Sequence, residues 1–93
     1  MTSSISLNPD DLISRLIKIS DLSLNDYKQV SSKIQDALND INPWVRYWGL
    51  IVSSSFGSKA LENKKQINSI FENDPENLVR MRAAEFMLLN NLE

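Results

Sequence analysis

The chain has 93 residues, of which 42% are hydrophobic and 24% are charged, a composition that fits one small folded domain rather than a disordered chain. Its formal net charge of −2 gives no electrostatic reason to expect a nucleic acid or an anionic membrane as partner, and no apolar run approaches the roughly 20 residues of a membrane span. Because Cys and His are both absent, the sequence excludes a thiolate nucleophile, thiolate and imidazole metal ligands and a histidine general base, so we expect no cofactor. The lack of Cys leaves the cellular compartment open.

The first predicted helix begins at Pro9. Proline is favoured at a first helical position, and Asp10 and Asp11 complement the positive end of a helix. An apolar face that includes Ile13 and Ile17 then recurs at helical spacing. These signals predict a helix over residues 9–20.

The next two helices are predicted over residues 26–39 and 43–56. In the second, Tyr27, Val30 and Ile34 begin a series of apolar residues at intervals of three and four. The third has Asn42 as its cap and Pro43 just inside, and it is the most apolar segment, so we expect it at the centre of the fold.

Two further helices are predicted over residues 58–72 and 75–91. Gly57 is expected to end the third helix, and the pair Asp74 and Pro75 is expected to cap and start the fifth. Gly49, inside the third helix, costs about 1 kcal/mol relative to Ala, which indicates a close approach of another helix. The short connections predict antiparallel helical hairpins and an all-α fold of about five helices over residues 1–93.

A motif occurs twice in the chain, with the same offset of 34 residues for each of its positions. A period of this size is typical of helix-turn-helix repeat arrays, in which stacked units bury a continuous core. With about two and a half units, we expect an apolar face to remain for another domain, another copy or another protein. The repeated residues are Asp40, Val45 and Arg46 in the first copy and Asp74, Val79 and Arg80 in the second.

The repeated motif resembles that of HEAT and HEAT-like repeats, which implies a short α-α superhelix. By this resemblance, Asp40 and Asp74 brace the turn of their hairpin. Arg46 and Arg80 are then expected to reach an acidic or carbonyl partner in their own or the adjoining unit.

A second resemblance covers most of the chain. The segment 45–49, Val-Arg-Tyr-Trp-Gly, and the segment 79–85, Val-Arg-Met-Arg-Ala-Ala-Glu, are similar to two successive helices in the C-terminal tail of some bacterial sulfatases. Residues 11–21 match the helix that precedes them in those tails. Sulfatases carry their nucleophile in a Cys-x-Pro-x-Arg or Ser-x-Pro-x-Arg segment, which is absent here. The resemblance therefore implies a non-catalytic accessory tail, without its sulfuric ester hydrolase domain.

Several side chains allow a functional and a structural interpretation. Trp44 and Trp48 could form a sugar-stacking platform with Tyr47, but their spacing of four favours core packing, and Tyr47 is the better candidate for an exposed contact. Arg46, Arg80 and Arg82 could together bind an anion. We expect instead that Arg46 and Arg80 pair with structural partners and that Arg82 is solvated.

Charged groups elsewhere fit structural roles better than catalytic ones. The carboxylate pairs at helix starts and turns are more typical of caps than of acid-base pairs or calcium ligands. Three lysines of the fourth helix are weak support for a nucleic-acid surface in an acidic chain. The carboxylate pairs are Asp10/Asp11, Asp36/Asp40 and Glu72/Asp74, and the lysines are Lys59, Lys64 and Lys65.

Two functions remain open from the sequence. The first is the accessory tail of a sulfatase, and the second is a free-standing HEAT-like adaptor that binds a protein on one helical face. Both predict a protein partner, no enzymatic activity in this chain, and an apolar strip exposed at one end of the stack.

Overall fold

The structure, a computed structural model, describes residues 9–90. Residues 1–8 and 91–93, which the sequence prediction includes in the same domain, lie outside the described part. The described residues are helical and contain no strand, which confirms the all-α prediction. Two 3-10 segments, Leu22–Leu24 and Gly57–Asn63, lie between α-helices. The α-helices are α1 (Pro9–Asp21), α2 (Tyr27–Leu38), α3 (Pro43–Phe56), α4 (Lys64–Asn73) and α5 (Asn77–Leu89).

Helix α3 has the predicted bounds because strong local signals fix both of its ends. The Asn42 side chain accepts a hydrogen bond of 2.8 Å from the backbone N–H of Trp44, and Pro43 occupies the first turn. At the other end, Gly57 has a φ of +58°, a left-handed conformation that favours glycine. The helix is therefore terminated by a backbone conformation that few other residues adopt.

The predicted helix over residues 58–72 is wrong in its first half. Residues Gly57–Asn63 form a 3-10 segment, and the α-helix begins only at Lys64. In this segment Ala60 and Asn63 are buried, and the Asn63 amide donates a hydrogen bond of 3.0 Å to the Tyr27 hydroxyl. Since a 3-10 helix places residues i and i+3 above one another, the segment presents both side chains to α2 and the core.

The predicted start of the last helix at residue 75 is also wrong. The Asp74 carboxylate accepts a hydrogen bond of 3.0 Å from the backbone N–H of Glu76, so residues 74–76 form a turn that contains Pro75. The helix begins at Asn77. It ends at Leu89, before the predicted end at residue 91, which lies outside the described residues.

Helix α3 is the central element, in agreement with the expectation from its apolar sequence. It contacts α1, α2 and α5, while α4 packs against α5. At the contact with α2, a Cβ atom added to Gly49 would lie 3.1 Å from Ala37 Cβ, which explains a glycine inside this helix. The core is formed by buried residues that include Val30, Ile34, Leu38, Leu50, Val52, Ile67, Val79, Ala83 and Phe86.

Several apolar residues do not lie where the helical patterns place them. Trp44 and Trp48 are half-buried, and the core side of α3 is instead formed by smaller aliphatic residues. Ile13 and Ile17, from the apolar face predicted for the first helix, are exposed, because a chain of this size has too little volume to cover every apolar side chain. Ile41, Phe71 and Leu78 are exposed as well.

Candidate functional site

Arg46 connects the two copies of the repeated motif. Its Nε donates a hydrogen bond of 2.7 Å to Asp74 Oδ2, and its Nη2 donates one of 3.1 Å to Asp74 Oδ1. Its Nη1 donates to the backbone carbonyls of Asp40 at 2.9 Å and Ile41 at 3.0 Å. This bidentate geometry is the strongest form of an arginine–carboxylate contact, and it holds the two interhelical turns together.

The two aspartates of the motif stabilise their turns in the same way. Each accepts a hydrogen bond from the backbone N–H two residues later, at 2.8 Å from Asn42 to Asp40 and at 3.0 Å from Glu76 to Asp74. Asp40 Oδ2 also accepts a hydrogen bond of 2.6 Å from Arg15 in α1. Both aspartates are thus engaged in structural contacts.

Arg80 has a different environment from its repeat equivalent, although Val45 and Val79 are both buried. The Arg80 guanidinium is exposed and donates a hydrogen bond to the side chain of Asn77 in its own helix. Within residues 9–90, Arg80 forms no ion pair with a carboxylate. Arg46 pairs with Asp74 in the following turn, whereas Arg80 has no equivalent acidic partner within the described residues.

Tyr47 and Arg82 lie in direct contact. Arg82 Nη2 donates a hydrogen bond of 2.9 Å to the Tyr47 hydroxyl, and the guanidinium carbon lies 5.0 Å from the centre of the tyrosine ring. The hydrogen bond to Tyr47 raises the pKa of Arg82 above its ordinary value, with a smaller contribution from Glu85, which pairs with Arg82 at 3.1 Å. The Arg82 side chain is therefore partly exposed, but it is held against Tyr47 rather than free in the solvent.

The aromatic side chains around Tyr47 do not form a flat platform. The Tyr47 ring lies 5.8 Å from that of Trp44 and 6.4 Å from that of Trp48, and both contacts are edge to face. Sugar stacking needs an open ring face, whereas these rings pack edge to face against one another. The geometry favours packing for these residues.

The outer side of α5 carries an exposed apolar surface next to Tyr47. Leu78, Met81, Leu88 and Leu89 are 46%, 65%, 72% and 66% exposed, while Val79, Ala83 and Phe86 on the inner side are completely buried. A helix that is apolar on two sides is typical of one that is covered on both. We call this region the α5 surface, and define it by Leu78, Met81, Arg82, Glu85, Leu88 and Leu89.

The sequence did not identify the α5 surface as a whole. The sequence does show that the apolar residues of α5 are not confined to one face of the helix. Helical periodicity does not show, however, which of these faces packs on the core. Of the residues of this surface, only Arg82 was singled out from the sequence, as a solvated group that could bind an anion. The structure adds a groove lined by Tyr47, Leu78, Met81, Arg82 and Glu85.

A polar network around Tyr27 was also missed. The Tyr27 hydroxyl donates a hydrogen bond of 2.8 Å to Glu62, and the Gln35 amide donates to Glu62 at 3.2 Å and to Asn63 at 3.1 Å. Burial, together with the contact to Glu62, raises the pKa of Tyr27 to about 12. The network links α2 to the 3-10 segment Gly57–Asn63, and the separation of 35 positions between Tyr27 and Glu62 leaves no local sequence signal for it.

The remaining charged candidates do not converge on a site. Lys59, Lys64 and Lys65 are all exposed, as are Asp36 and Glu72. Across residues 9–90, no three acidic side chains are grouped closely enough to hold a metal ion. The helices in this part of the chain are also too short or too polar to span a membrane.

Comparisons of the chain with protein-family profiles, with curated proteins and with solved structures find no match.

Proposed function

We propose that this chain is a non-catalytic helical-repeat module that binds a protein through the α5 surface. The observation that carries the proposal is the two-sided apolar character of α5, whose outer leucines and methionine remain exposed in the isolated chain. Contiguous exposed apolar residues with polar neighbours are typical of protein-binding surfaces. Tyrosine and arginine are enriched among the residues that dominate binding energy, and Tyr47 and Arg82 lie beside the apolar residues.

The architecture we propose is a HEAT-like stack of two and a half units. Two observations support this architecture. Helix α2 packs on α3 and α4 packs on α5, as in two helical hairpins, and α3 contacts both α1 and α5. The ion pair between Arg46 and Asp74 joins the arginine of the first motif copy to the aspartate of the second. In this arrangement α5 lies at the end of the described helices, so its outer side is the face on which a further element would pack.

The sequence offers two kinds of partner for this surface. The resemblance to sulfatase tails favours a catalytic domain, whose position the module would stabilise. A free-standing adaptor would instead bind a separate protein or another copy of itself. The α5 surface supplies the same exposed contact in either case, so the experiment must identify what covers it.

Site-specific photo-crosslinking in the organism that encodes the protein tests the proposal. A photoreactive amino acid replaces Met81 in the α5 surface, and the matched control replaces Ile13, an exposed aliphatic residue of α1. We expect a discrete protein adduct from position 81 and much less from position 13, with the adduct identified by mass spectrometry. Equal crosslinking at both positions, or no adduct at position 81, would overturn the proposal.

A further inference from the structure

We propose that the α5 surface binds a second copy of this chain, with the two α5 helices antiparallel about a two-fold axis. This inference rests on the proposed function, since it names the partner of the same surface. If a sulfatase domain or another protein covers this surface instead, the experiments below will show it.

The residue pattern along α5 is symmetric with respect to chain direction. Leu78, Arg82, Glu85 and Leu89 follow one another at spacings of four, three and four residues, which is the same in both chain directions. Spacings of three and four place side chains in one strip along a helix. An antiparallel copy therefore places Leu78 opposite Leu89 of the second copy and Arg82 opposite Glu85 of the second copy. A two-fold interface requires this kind of self-complementary surface.

The charged residues of the strip are complementary between two antiparallel copies. Each helix contributes one cation and one anion to the middle of the strip, and the antiparallel arrangement brings opposite charges together twice. The two groups are already paired within one chain at 3.1 Å, with side chains 35% and 47% exposed, so both can still reach a second copy. Tyr47 holds the Arg82 guanidinium in place, which reduces the side-chain entropy that binding must remove.

The apolar residues set the strength of the contact. Leu78 and Leu89 close the two ends of the strip, and Met81 and Leu88 add further exposed apolar surface on the same helix. One helix of 13 residues offers less area than the roughly 800 Å² per partner of a standard stable interface. We therefore expect a dimer that dissociates on dilution, with Kd on the order of 10 μM or weaker.

A charge-exchange experiment tests the antiparallel arrangement. The variants Arg82→Glu and Glu85→Arg are each studied alone and as an equimolar mixture by sedimentation equilibrium, with circular dichroism to verify the fold. Each variant alone opposes like charges across the axis, so we expect its self-association to weaken by at least about tenfold. In the mixture, Glu at 82 meets Arg at 85, and Glu at 85 meets Arg82, so the heterodimer should recover wild-type affinity within about threefold.

A second pair of variants removes the dependence on Arg82, whose substitution also breaks its contact with Tyr47. Leu89→Glu should abolish dimerisation, whereas Leu24→Glu, at an exposed leucine far from α5 in the sequence, should leave it unchanged. A wild-type chain that is monomeric up to about 0.5 mM would overturn the self-association, as would folded variants whose mixture stays monomeric. A crosslink from position 81 to a different protein, with a monomeric wild type, would sustain the proposed function and overturn only this inference.

Discussion

Arg46 and Asp74 form a bidentate ion pair between the two copies of the repeated motif, and their side chains are only 12% and 4% exposed. Removing two charges from water is costly, so such a pair stabilises a fold only when the remaining hydrogen-bonding capacity is also satisfied. Here Arg46 also donates to two carbonyls, and Asp74 accepts from the Glu76 N–H. Loss of either partner would therefore leave a buried charge without its counterion.

The two repeat-equivalent arginines should differ strongly in their contribution to stability. We expect Arg46→Ala to lower the free energy of unfolding by about 3 to 5 kcal/mol, because Asp74 then remains buried and unpaired. Arg80→Ala should cost less than about 0.5 kcal/mol, since Arg80 is exposed and its hydrogen bond is to Asn77 in its own helix. Urea denaturation of both variants measures the difference, and similar losses would contradict a special role for the buried pair.

Substitution of Asp74 should likewise lower the free energy of unfolding by more than the loss of a turn hydrogen bond alone would. From the sequence, loss of a helix cap predicts a cost of about 1 kcal/mol for Asp74→Ala. The structure raises the expected cost to about 3 kcal/mol, because the substitution also leaves the enclosed Arg46 guanidinium without its carboxylate. Asp40→Ala is the matched control: its partner Arg15 is 42% exposed, so the cost should be smaller. An equal cost for the two would argue against the burial effect.

The close approach of α2 and α3 makes Gly49 sensitive to a single added methyl group. Alanine would gain about 1 kcal/mol in helix propensity, but its Cβ would lie 3.1 Å from Ala37 Cβ and 3.4 Å from the Ala37 carbonyl carbon. Since neither neighbour is a flexible side-chain end, we expect overpacking to dominate, with a net destabilisation of about 1 kcal/mol.

The compensating double variant tests this steric explanation. Ala37→Gly removes the methyl group nearest to the added Cβ, so the two substitutions should be less destabilising together than the sum of their separate effects. Thermal unfolding of the two single variants and the double variant gives the coupling energy. Additive effects would indicate that the gap between the helices is not the reason for Gly49.

The two sides of α5 should respond differently to truncation. Phe86→Ala removes a completely buried ring and should cost about 3 to 5 kcal/mol. Leu88→Ala, at a side chain that is 72% exposed, should change the stability of the monomer by no more than about 0.5 kcal/mol. Denaturation at low protein concentration separates folding from association, and a large loss for Leu88 would show that it supports the fold rather than a contact.

The parts of the fold that local chemistry determines could be predicted from the sequence. Asn42, Pro43 and Gly57 are sufficient to place both ends of α3, since each acts within a few residues of itself. The beginning of α4 could not be placed in this way. It depends on Asn63, whose partners Tyr27 and Gln35 lie 36 and 28 residues away in the sequence.

The candidate site was predictable only in part for a related reason. The sequence indicated Tyr47 as a candidate exposed contact and Arg82 as a solvated group that could bind an anion, but their contact with each other depends on how α5 packs against α3. Helical periodicity showed that α5 is apolar, yet a helix with two apolar sides does not reveal which one faces the core. Burial of Val79 and Phe86, and exposure of Leu78, follow from the tertiary packing alone.

The Tyr27 network should make stability depend on pH in the alkaline range. The pKa of Tyr27 is raised from 10.0 to about 12, first by burial and then by the hydrogen bond and charge of Glu62. The stabilisation from the neutral phenol is therefore complete below about pH 10, declines as the pH rises to about 12, and is then lost. Over that window the unfolding equilibrium constant should rise by up to about tenfold per pH unit relative to Tyr27→Phe, which has no phenol to ionise. Denaturant titrations of both proteins at several pH values provide the measurement, and parallel pH profiles would contradict the raised pKa.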